Sequence, residues 1–189
     1  VSAGGTGGGR RADSPSGDPR EAEIAELKAR IRALKDEAAA NEQKFRRAQE
    51  RELELLRADT LPALFSQVTE GFAASYGIDA MTLVLEDPQH EIRHLVIGGG
   101  DHPEDFPGVA FVDALAPLAP QLGALHRPWL GRYVRPDHSL LFGGAKDLQS
   151  IALVPLRRHG RTSGVLCFGS RDPERFTHRM GSDFLQHLG

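Results

Sequence analysis

Between residues 21 and 58 a mostly apolar set of positions recurs in steps of three and four: Ile24, Leu27, Ile31, Leu34, Ala38, Asn41, Phe45 and Ala48. The stretch has no Gly or Pro and is rich in Ala, Glu, Leu, Lys and Arg, all strong helix formers. Alternating threes and fours make a heptad seam, here with Asn41 as its polar member. The first two heptads carry most of the apolar character. Glu52 then interrupts the seam, and Leu53 and Leu56 shift its register as a stutter would. One isolated helix with so short a seam is marginal in water. The pattern therefore predicts a two-stranded coiled coil over residues 21–58, with Ile24, Leu27, Ile31, Leu34 and Asn41 at the dimer interface. The charge pairs along it would also suit a solvated single helix.

Downstream the period changes. Asp59 or Thr60 can cap a helix that tolerates Pro62 in its first turn. Leu61, Leu64, Phe65, Val68 and Phe72 mark one face of it, and Gly77 stops it. "MTLVLED" reads as a strand, "PQ" as a turn and "EIRHLVIGG" as a second strand. Residues 101–148 are rich in Pro and Gly, with a short helix expected between about Val112 and Leu125. "SIALVP" and "GVLCFG" form a hairpin across the polar connection "RRHGRTS", and Phe176 leads into a closing helix with Met180, Phe184, Leu185 and Leu188. Both hairpin strands are apolar at successive positions, Ile151 to Val154 and Val165 to Phe168, so the sheet is expected to be covered on both faces.

The proline-broken segment 101–148 would cover the second face as a loose lid over a cavity. Trp129, Tyr133 and Phe142 are its candidate ligand-binding walls, with Phe106 and Phe111 behind them and Ser150 as a polar contact. The other reading is that these aromatics fill the space as ordinary core.

Composition narrows the class. The 189 residues carry a formal net charge of -3 and one cysteine. That balance argues against a generally cationic nucleic-acid binder. A single cysteine cannot form an internal disulfide, which fits a reducing cytosol and a cytoplasmic location. No apolar run approaches the roughly 18 residues of a membrane span. Residues 1–20 are Gly/Ser/Pro-rich without a hydrophobic segment, and are expected to be a disordered tail and no signal peptide.

Three stretches invite a chemical reading. "HEIRH", His90 to His94, matches the zinc-peptidase pattern H-E-x-x-H, whose mechanism needs both histidines on one helical face. Pro88 before it, Gly98 to Gly100 after it and "HLVI" within it favour a strand, where positions four apart lie roughly 13 Å from each other. No metal is expected there, since zinc ligands sit at about 2 Å. Cys167 lies inside an apolar strand and is expected to be an inert core thiol. Arg157, Arg158, His159 and Arg161 form a basic hairpin tip without interleaved aromatics to stack on bases. No catalytic residue is identified, and the chain is not expected to be an enzyme.

A resemblance adds to this reading. "SIALVPL", a polar turn, "GVLCFGS" and a closing helix resemble the end of a GAF domain, a small-molecule sensing fold. "GSRDPERFTHRMGSDFLQHLG" is similar to the C-terminal signature of a bacterial GAF-like group, domain-of-unknown-function family four-eighty-four. "AAANEQKF" and "LLFGG" also look like its markers. The resemblance implies an α+β fold: a GAF-like antiparallel sheet with helices on one face over residues 59–189, preceded by the coiled-coil helix. It implies a non-catalytic sensory or regulatory homodimer that binds a small molecule and signals through its helix. The alternative is a ligand-free dimeric adaptor that docks a protein partner, with a metallohydrolase a distant third. No cofactor is identified, and neither membrane nor nucleic acid is expected as a partner.

Overall fold

The computed structural model describes residues 19–143, 145 and 147–177. The chain divides into two units, one ending at Arg46 and the other beginning at Arg47. Of the expected tail, residues 1–18 lie outside the described residues, while Pro19 and Arg20 already belong to the first helix, α1 (Pro19–Leu56). Pro19 opens that helix, where its missing N–H has no intrahelical partner to lose. The closing helix expected through Met180, Phe184, Leu185 and Leu188 also lies outside the described residues.

In the second unit the chain folds as α+β, a five-stranded mixed sheet with helices, consistent with a GAF-like fold. α2 (Leu61–Ser66) begins at Thr60, whose Oγ1 accepts from the Ala63 N–H at 3.2 Å. A five-residue π-helical turn, Gln67–Gly71, separates it from α3 (Phe72–Tyr76). Gly77 ends the run at φ 57, a left-handed geometry that glycine adopts without a side-chain clash. Phe65 and Phe72 are the buried anchors of this face.

β1 (Ala80–Glu86) follows, and then the largest departure from the expected pattern: Glu91–Gly98 is a helix, α4, and not a strand. Asp87 decides it. Its buried carboxylate accepts from the backbone N–H groups of Ile92 and Arg93, both at 3.1 Å. These are orphan donors of a first helical turn. Ile92 and Val96, four apart, turn inward, whereas Leu95 and Ile97 face solvent. β2 (Val109–Val112) lies parallel to β1, and the helical β1-to-β2 connection supplies the long crossover that a parallel pair needs. The sheet expected to be antiparallel is therefore mixed.

The strand order is β2-β1-β5-β4-β3, with β3 (Trp129–Arg132), β4 (Ser150–Arg158) and β5 (Arg161–Ser170) joined antiparallel. Segment 101–148 thus supplies both edge strands. No helix spans Val112–Leu125: Pro117 and Pro120 fall inside that stretch, and only a 3-10 turn forms at Leu122–Ala124. A short helix, α5 (Arg135–His138), follows β3.

The central hairpin feeds two cores. Ala152, Val154, Leu166 and Phe168 face the side covered by Phe65, Phe72 and Val96. Ile151, Leu153, Val165 and Cys167 face the side covered by Leu115, Leu122, Leu141, Phe142 and Leu148. Full burial of each such aliphatic side chain contributes about 1.5–3 kcal/mol.

Asp87 also ties the sheet end together. Arg93 Nε donates to it at 3.1 Å, and Arg93 Nη2 donates to the Asp87 carbonyl at 2.7 Å and to Asp113 at 3.0 Å. Burial pushes the Asp87 carboxyl up, but the N–H donors of Ile92 and Arg93 and the guanidinium outweigh it and hold it below the usual carboxylate range. A lowered folded pKa gives stability that is present above the unfolded value, near pH 4, and lost as pH falls through the folded one. Asp87→Asn should therefore cost about 2–3 kcal/mol in urea denaturation at pH 7. Its deficit should shrink below about pH 4. A deficit independent of pH would contradict the charge-based account.

Candidate functional site

The π-helical turn, the start of β1 and the loop before β2 enclose a cleft of about 260 Å³. Met81, Phe106 and Ala73 give it apolar walls, and Ser66, Thr69, Glu70, Asp79 and Asp105 bring polar groups. Local geometry holds these groups. Thr69 Oγ1 donates to the Phe65 carbonyl at 2.8 Å, and Ser66 Oγ donates to Glu70 at 3.2 Å. Asp105 accepts from the His102 N–H at 2.8 Å. Asp79 accepts from the Arg171 N–H and from Ser170 Oγ, both at 3.0 Å, and these bonds hold its carboxyl below the usual carboxylate range. The loop approaches closely: a Cβ on Gly108 would stand 2.9 Å from Thr69 Cβ. Phe65 packs edge-on to Phe106 with centroids 5.3 Å apart.

The residues expected to line a lid lie elsewhere. Trp129 and Tyr133 flank His138, with ring centroids at 5.8 and 5.9 Å, and Tyr133 meets Phe142 edge-on at 6.1 Å. Together they pack over the second core. Phe106 and Phe111, expected behind them, belong to the opposite face, against Phe65. β2 leaves Phe111 on the first-core side of the sheet. Ser150 is fully buried, and its Oγ donates to the Asp172 carbonyl at 2.6 Å.

A family model described as "Protein of unknown function, DUF484" matches residues 19–189. The chain belongs to this family. No curated protein matches it. DUF484 membership covers the helix, the cleft and the hairpin alike, but by its own description assigns none of them a role.

In this DUF484 chain "HEIRH" does lie at a helix, so the strand spacing used to separate its histidines does not hold. His90 is the N-cap residue at φ 60, and its ring centroid is 6.3 Å from that of His94. His90 Nε2 lies 3.5 Å from Asp113 Oδ1. Among the described residues no group of three or more His, Cys, Asp or Glu side chains is arranged to hold a metal ion. Cys167 is fully buried in β5, and burial pushes its thiol far above the ordinary value. A thiol so desolvated is a poor nucleophile.

Reading the sequence for chemistry missed the cleft, because its polar groups come from three separated stretches. It also missed His138, buried at 1% exposure. His138 Nδ1 accepts from the Val134 N–H at 2.9 Å, which puts the ring proton on Nε2, 3.3 Å from Gln121 Oε1. Burial lowers its pKa, partly opposed by Asp137. The neutral ring therefore contributes stability that is present above the unfolded value of about 6.5 and lost as pH falls through the folded value. Denaturation followed by fluorescence of Trp129, the single tryptophan, should show stability falling between pH 7 and pH 5. His138→Gln should be less stable at pH 7 and flatter across that range. A wild type level over that interval would count against the buried neutral ring.

Proposed function

We propose that this chain is a non-catalytic sensory or regulatory protein that dimerises through α1 and binds a metabolite-sized molecule in the cleft beside the π-helical turn. The observation that carries the reading is the seam. Ile24, Leu27, Ile31 and Leu34 are 50–57% exposed in the single chain, although they repeat at coiled-coil spacing. A second copy would cover them, and Asn41 would help fix register and strand number. The cleft supports the ligand: it is apolar with a few polar groups, as small-molecule sites are. Its volume, about 260 Å³, falls just under the usual range for such sites and suits a metabolite rather than a large macrocycle. The deep burial of Cys167, which leaves its thiol a poor nucleophile, favours binding over thiol chemistry. The packing of Trp129 and Tyr133 against His138, and of Phe142 against Tyr133, favours the second reading, a ligand-free adaptor, if the cleft proves empty of function.

Two measurements test this. Light scattering should give a dimer for the wild type and a monomer for Leu27→Glu/Ile31→Glu, with the fold of the second unit kept by circular dichroism. A dimer that survives both substitutions would place the interface elsewhere. A thermal-shift screen of metabolites should find a compound that raises the melting temperature of the wild type but not of Ala73→Phe, which fills the cleft. A shift retained in Ala73→Phe would remove the cleft from the account.

A further inference from the structure

The central hairpin outruns the sheet that carries it. β1 pairs with β5 only as far as Leu85 opposite Gly164, and β3 with β4 only as far as Trp129 opposite Leu153. β4 and β5 continue to pair up to Arg158 opposite Arg161, beyond a register shift at Leu156/Arg157. At roughly 3.3 Å per residue, this two-stranded ribbon projects by about 10 Å. Its turn has only two residues, His159 at φ 51 and Gly160 at φ 78. That is the left-handed pair of a tight hairpin turn, so the tip is held in one conformation.

The charges on this ribbon are arranged at the expense of stability. Arg158 stands directly opposite Arg161, and like charges across a strand pair destabilise it. Arg157 donates to the Gly160 carbonyl at 2.9 Å. Arg161 reaches Glu86 at 3.5 Å while its own side chain stays 81% exposed. Arg158 has no carboxylate within ion-pair distance among the described residues. Thr162 Oγ1 donates to the Leu125 carbonyl at 2.9 Å, which brings the exposed His126 and Arg127 alongside. A cluster of exposed arginine forks carried on a tight turn, in a chain of net charge -3, suits bidentate pairing with carboxylates.

We propose that the tip of the β4–β5 hairpin docks an acidic protein segment presenting two or more carboxylates, with Arg158 and Arg161 as the recognising pair. A short acidic segment fits better than a nucleic acid. Glu86 and Asp113 stand at the same end of the sheet, where an extended phosphate backbone would meet them, and no Phe, Tyr or Trp lies between Arg157 and Ser163 to stack on bases. This inference rests on the hairpin alone and does not depend on the cleft or the seam.

The test is fluorescence anisotropy on the full chain with three labelled probes: a short alternating Glu-Ala peptide, its Gln-Ala counterpart and a short duplex DNA. The Glu-Ala peptide should bind, more weakly as salt rises, while the Gln-Ala peptide and the duplex should not. Arg158→Glu replaces a like-charge pair with an opposite-charge pair. It should therefore weaken peptide binding by roughly tenfold or more while leaving the melting temperature unchanged or raised. Equal binding by wild type and Arg158→Glu would overturn the proposal. So would no binding of the Glu-Ala peptide by the wild type, or tighter binding of the duplex than of the peptide.

Discussion

A β-hairpin that is apolar at successive positions cannot leave either face in water, and β4–β5 imposes that condition on the whole second unit. Ile151, Ala152, Leu153 and Val154 are all fully buried, although alternate members point to opposite sides of the sheet. The helical side answers with Phe65, Phe72 and Val96. The other side is closed without a long helix, by 3-10 turns and loops carrying Leu115, Leu122, Leu141 and Leu148. His138 fits the same logic, since a polar ring in that cover must satisfy both nitrogens. It does so with Val134 and Gln121.

The features legible in the sequence were those set by local chemistry. Thr60 as a cap, Gly77 as a stop, the heptad spacing of α1 and the doubly apolar hairpin all follow from residues close together in the chain. What was not legible depended on distant partners. "EIRHLVIGG" has the β-branched residues of a strand, yet it is helical because Asp87, outside the stretch, satisfies its first N–H groups. With that segment helical, the connection is long enough for β2 to pair parallel to β1, so one misread element also changes the sheet from antiparallel to mixed. The cleft was hidden for a similar reason. Thr69 and Gly108 are far apart in sequence, and only the fold brings them within van der Waals range. Phe106 and Phe111 could not be assigned to a face without knowing that Val109–Val112 is a strand.

The sealed platform separates structure from function in this DUF484 protein. Cys167, the chemically tempting thiol of the sequence, lies in its interior and serves packing, whereas His90, His94 and the hairpin arginines are exposed. We propose three surfaces for other molecules: the seam on α1, the cleft at the π-helical turn and the arginine tip of the hairpin. Our reading places recognition at those surfaces and no chemistry in the buried hairpin.

Native mass spectrometry of the freshly purified full chain tests that reading most directly, because it reports assembly and retained ligand in one spectrum. The account predicts twice the chain mass, with an added mass of metabolite size that is released on activation. A spectrum of monomers without added mass, at concentrations where a coiled coil of this length should assemble, would contradict it.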